Sequence, residues 1–63
     1  MPNKKHLKKG TTGTCINSYD AARCVLIRDA PAEQGMLEIV LLDDFTGCEA
    51  GSIIEIPRRE FRE

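Results

Sequence analysis

Two short aliphatic runs constrain this chain more than any other feature: Cys24-Val25-Leu26-Ile27 and Ile39-Val40-Leu41-Leu42. Both are shorter than an ordinary helix, and β-branched Val25 and Ile27 favour extended backbone. Successive side chains of a strand point to opposite faces, so these strands are apolar on both sides. A single open sheet in a chain of 63 residues cannot cover both. The second face must be hidden by barrel curvature or by another subunit. A chain this short also buries a modest share of its surface, so outside support carries weight.

The rest of the chain reads as strands and turns. Thr14–Ser18 is expected to form a first short strand, followed by turn chemistry at Asn17-Ser18-Tyr19-Asp20. A helical turn over residues 19–22, capped by Ser18, is the competing reading. Strands are expected at Arg23–Asp29, Met36–Asp43 and Ser52–Ile56, separated by loops at residues 30–35 and 44–51 that carry Pro31, Gly35, Gly47 and Gly51. Pro57 lacks a backbone donor, so it ends its strand or lies at an edge. Residues 57–61 suit a tight or short helical turn that folds Phe61 back onto the core.

The fold class is therefore all-β. The expected architecture is a small, partly closed barrel or bent antiparallel sheet of four to five strands, SH3-like in pattern. The expected core is Ile16, Val25, Ile27, Leu37, Ile39, Leu41, Ile54, Ile56 and Phe61. Cys24, Val40, Leu42 and Ile53 are left for the second face or a subunit contact, and a homodimer is favoured over a monomer.

Charge divides the chain. Residues 1–13 carry Lys4, Lys5, Lys8 and Lys9 with no acid, whereas residues 14–63 hold five arginines against ten acids. We read residues 1–13 as a flexible basic arm and residues 14–63 as one small acidic β domain. Three widely spaced cysteines, Cys15, Cys24 and Cys48, do not form the even, dense set of a secreted mini-protein. No apolar leader follows the N-terminal charges, and no apolar run could span a bilayer. These features point to the cytoplasm, with free thiols.

Spacing argues against most kinds of chemical site. His6, Cys15, Cys24 and Cys48 lack the close ligand pairs of a zinc site, so no metal is expected. The acids of Asp43-Asp44-Phe45-Thr46-Gly47-Cys48-Glu49 do not have EF-hand spacing and read as a solvated tip. No cofactor and no catalytic residue is expected. His6 lies in the arm without an orienting partner, and Asp43 and Asp44 point to opposite sides of extended backbone. The expected function is a non-enzymatic interaction or regulatory module that binds a protein partner through an acidic, aliphatic body. Its contact residues would be Val40, Leu42, Ile53, Asp43, Asp44 and Glu49, and a sheet edge could take up a partner strand. The alternative is weakly sequence-specific nucleic-acid binding by Lys4, Lys5, Lys8, Lys9, Arg58, Arg59 and Arg62.

Overall fold

The computed structural model describes residues 5–63 and is all-β. Five strands form one antiparallel sheet: β1 (Thr12–Ile16), β2 (Ala21–Leu26), β3 (Met36–Leu41), β4 (Ile53–Pro57) and β5 (Phe61–Arg62). Their order across the sheet is β4-β3-β2-β1-β5. The first four strands form a meander of neighbours, and the last returns to pair with the first. A 3-10 turn over Arg58–Glu60 makes that return. The sheet bends over its core but does not close, so β4 and β5 remain edges.

The core fills the concave side. Leu37, Ile39 and Leu41 alternate inward from β3, as their period-two spacing predicts. Ala22, Cys24 and Leu26 come from β2, Cys15 from β1, Ile56 from β4 and Phe61 from β5. Leu7, Ala30 and Phe45 plug the core from the connecting segments. Burying a side chain of the size of Leu37 or Ile39 contributes about 1.5–3 kcal/mol.

Of the residues expected in the core, three lie elsewhere and a fourth is only half-covered. Val25 and Ile27 are only half-buried, because β2 turns Cys24 and Leu26 inward instead. The register explains the inversion: Cys24 stands opposite both Gly13 and Leu41, on the face that carries Leu41 into the core. Ile16 is 40% exposed at the end of β1, where Cys15 takes the inward position. Ile54 points inward but is half-buried, because β4 is an edge strand with no neighbour on one side. Cys24, expected on the second face, is fully buried.

The expected boundary at residue 13 falls inside β1. Residues 5–13 are tied to the body rather than separate from it. Leu7 exchanges backbone bonds with Ala30 at 2.9 and 2.7 Å, Gly10 N–H donates to Leu26 O, and Thr11 O accepts from Leu26 N–H. Lys4 lies outside the described residues.

Two loops meet beside the sheet. Phe45 and Cys48 exchange backbone bonds at 2.8 Å around Thr46 and Gly47, which have φ of 43° and 81°. Positive φ at both central residues marks a primed hairpin turn. Thr46 tolerates this left-handed backbone with support from the β1–β2 turn: its N–H donates to Asp20 Oδ2, and its hydroxyl accepts from Asn17 Nδ2.

Candidate functional site

Directly opposed residues of an antiparallel ladder share a face. The register therefore assembles one row across the convex side of the sheet: Thr12, Val25, Val40 and Ile53. Leu42 extends this apolar face by one step, because its N–H donates to Arg23 O at 2.8 Å and so keeps it opposite Arg23. Ile53 is 63% exposed and Leu42 43% exposed. Val25 and Val40, flanked by strands on both sides, are half-buried. Val40, Leu42 and Ile53 thus occupy the second face to which the sequence assigned them. Val25 is an addition, and β2's inverted facing is why the sequence reading missed it. The clue was Arg23: a charged residue turned to water puts Val25, two positions on, on the same side.

Ion pairs border this face. The Arg23 guanidinium grips Asp43 with two bonds, Nε to Oδ2 at 2.9 Å and Nη2 to Oδ1 at 2.8 Å. Asp43 Oδ2 also accepts from Arg23 N–H. These bonds, the Arg23 side chain first, hold the Asp43 carboxyl down at about 2. A depressed carboxyl contributes stability that is present above its unfolded pKa, near 4, and is lost as pH falls towards 2. Arg23→Gln is expected to return the Asp43 titration to the ordinary carboxylate range, read by NMR of its side-chain carbonyl. An unchanged midpoint would show that Arg23 is not the cause. Asp44 is also engaged, with Oδ1 accepting from Ala50 N–H at 2.9 Å, whereas Glu49 is exposed. The two aspartates expected at the contact therefore brace their loop, and Glu49 remains available.

On the next row, Arg28 pairs with Glu38 at 2.9 Å. Glu38 stands directly opposite Glu55 on β4. Glu55 is exposed and has no ion-pair partner among the described residues.

The seven cations of the nucleic-acid reading do not form one free set. The two ends of the described stretch do lie together, since Lys5 Nζ meets Glu63 Oε1 at 2.6 Å. Arg58, however, points into the body. Its guanidinium donates to Gln34 O, Lys5 O and Pro31 O at 2.8, 2.9 and 2.6 Å. This fork clasps the segment before β1, the loop before β3 and the 3-10 turn. It leaves little of Arg58 to meet a phosphate. Lys8, Lys9, Arg59 and Arg62 are exposed without ion pairs among the described residues.

Cys15 and Cys24 are adjacent, buried, free thiols. Burial raises both, and the Cys15 thiol adds to the rise at Cys24, which is pushed up to about 12. The thiolate is the reactive form. A thiol reagent is therefore expected to label half-buried Cys48 first, with Cys15 and Cys24 reacting only on unfolding. Mass spectrometry of native and denatured samples checks the order, and early labelling of Cys24 would contradict it.

Among the described residues, no three or more His, Cys, Asp or Glu side chains converge to hold a metal ion, and no helix is long and apolar enough to cross a membrane. No protein-family model, curated protein or solved structure matches the chain.

Proposed function

We propose that this protein is a non-enzymatic interaction module that binds a protein partner through the convex face of its sheet. The observation behind this reading is the uncovered aliphatic row Val25–Val40–Ile53 with Leu42 beside it, bordered by Arg23–Asp43, Arg28–Glu38 and Glu55. An apolar centre with a charged rim is the anatomy of a protein contact. Small size also supports the reading, because a partner covering this face adds burial that a short chain lacks. Three free thiols support placing it in the reducing cytoplasm. The SH3-like pattern expected from the chain's length and short strands would carry no partner with it, since a fold does not fix a function. A two-fold pair of copies joined through this face is the homodimeric form of the same proposal.

The test compares the wild type with Val40→Asp and Ile53→Asp, each checked for fold by its melting curve. Sedimentation first reports whether wild-type chains self-associate and whether the variants do not. Affinity capture then asks which protein is retained by the wild type and lost with both variants. A retained protein indifferent to both substitutions, with no self-association, would refute the convex face as the contact. The nucleic-acid alternative draws on the exposed Lys8, Lys9, Arg59 and Arg62. It predicts binding to mixed single- and double-stranded oligonucleotides that weakens steeply with salt. Replacing those four with alanine would then abolish it.

A further inference from the structure

Among the described residues the edge of β4 offers both backbone groups and an uncompensated charge along five residues, whereas the opposite edge, β5, has only two. Two bonds bracket the β3–β4 ladder: Leu41 N–H to Ser52 O and Arg58 N–H to Gly35 O. In an antiparallel pair, every second residue bonds to its neighbour strand. Ile54 and Ile56 therefore bond to β3, while Ile53, Glu55 and Pro57 turn their backbone groups outward. Pro57 has no N–H to leave unpaired, which suits an edge position. The outward edge holds the N–H and C=O of Ile53 and Glu55 and the C=O of Pro57.

The side chains along this edge specify what could pair there. Glu38 and Glu55 face each other directly, and like charges so placed are destabilising. Arg28 neutralises Glu38 from the other side, leaving Glu55 as the outermost charge of the row. A cation one strand further out would complete an alternation of charge across the sheet. Ile53, two residues earlier on the same face, is 63% exposed and continues the row of Val25 and Val40. Between them, Ile54 points inward but stays half-buried for want of a neighbour.

We infer that β4 takes up an extended segment of a partner protein, added as a sixth strand, with a lysine or arginine opposite Glu55, an aliphatic residue opposite Ile53 and an apolar residue between them covering Ile54. This rests on the protein-binding reading above and specifies its partner's chemistry. The same charge disfavours one pairing of two copies through this edge. A two-fold axis at Glu55 would set Glu55 against Glu55, and Ile53 against Pro57.

The probe is a blocked peptide containing Lys-Val-Val, which in antiparallel pairing sets lysine opposite Glu55, one valine over Ile54 and the next opposite Ile53. Its controls have glutamate in place of lysine, or N-methyl groups on alternate peptide bonds, which remove the donors of an added strand. Binding is followed by NMR and amide hydrogen exchange. The lysine peptide is expected to protect the Ile53 and Glu55 amides, and the N-methylated peptide to bind at neither. Glu55→Lys is expected to weaken the lysine peptide by about five- to tenfold and to favour the glutamate peptide instead. Binding that ignores N-methylation, or a preference that Glu55→Lys does not reverse, would overturn the edge proposal. So would perturbation confined to Val25, Val40 and Leu42. Were the edge to fail while Val40→Asp still released a captured partner, the convex face would stand without β4's edge. Failure of both would remove the protein-binding reading itself.

Discussion

Phe61→Ala is expected to remove about half or more of the protein's stability. The ring of Phe61 lies over Gly13 at the floor of the core, and β5, which carries it, has only one further residue. Removing a buried phenylalanine side chain costs about 3–5 kcal/mol. A domain of this size has roughly 3–9 kcal/mol in total, at 0.05–0.15 kcal/mol per residue. Gly13→Ala approaches the same contact from the other strand. A Cβ there would press into the Arg62 carbonyl oxygen and lie 2.6 Å from the Phe61 ring. The ring could shift, but the carbonyl belongs to the β1–β5 ladder, so relief requires β5 to move away. The expected loss is about 3 kcal/mol, the upper part of the usual range for overpacking. Urea melts of both single variants and the double variant check this. Once β5 has lost its ring it can retreat more cheaply from the methyl group added at position 13, so the double variant is expected to lose less than the sum. Full additivity, or a Gly13→Ala protein as stable as the wild type, would show that β5 does not sit tightly on β1.

The second large effect is expected at Arg58. Its guanidinium serves three backbone carbonyls, from residues 5, 31 and 34, and its own N–H pairs with Gly35. Hydrogen bonds from a charged donor contribute about 1.5–3 kcal/mol, and the carbonyls of this clasp can turn to water when it is lost. We expect Arg58→Met to cost about 2 kcal/mol and to loosen the segment before β1. Arg58→Lys is expected to recover little of this, because an ammonium cannot span three separated acceptors as a planar fork does. Melting curves give the cost. Exchange of the Leu7 and Ala30 amides, which pair with each other, reports the loosening. An Arg58→Lys protein as stable as the wild type would refute the fork as the reason for arginine here.

How far the sequence foretold this molecule depends on the residue. β3 was legible because Leu37, Ile39 and Leu41 alternate with Glu38, and one charge inside the pattern tells the faces apart. β2 was ambiguous because Cys24 to Ile27 are all apolar, and Arg23 and Arg28 flank the run with opposite parity. The strand ends at Leu26, so Arg28 lies beyond it and Arg23 alone marks the outward face. Leu7 could be recognised as an anchor, yet its bridge to Ala30 depends on a register that only the folded sheet defines. Gly13 offered a signal that went unused, since a glycine within a strand often marks the close approach of another group. Of the candidate contact residues, Val40, Leu42 and Ile53 followed from surplus apolarity. The commitment of Asp43 to Arg23, and of Arg58 to backbone carbonyls, did not. Charge counts cannot distinguish a solvated ion from a tethered one.

The return of the last strand to the first has a kinetic consequence. β1 to β4 can zip together hairpin by hairpin from contacts close in sequence, whereas the β1–β5 pairing must close a loop spanning the whole meander. Loop closure over such a separation is slow to form and early to be lost. The N-terminal meander therefore has a separate fluctuation open to it, in which β5 and its ring swing away while β2, β3 and β4 stay paired. In that excursion the patch around Gly13 that the Phe61 ring covers is laid open.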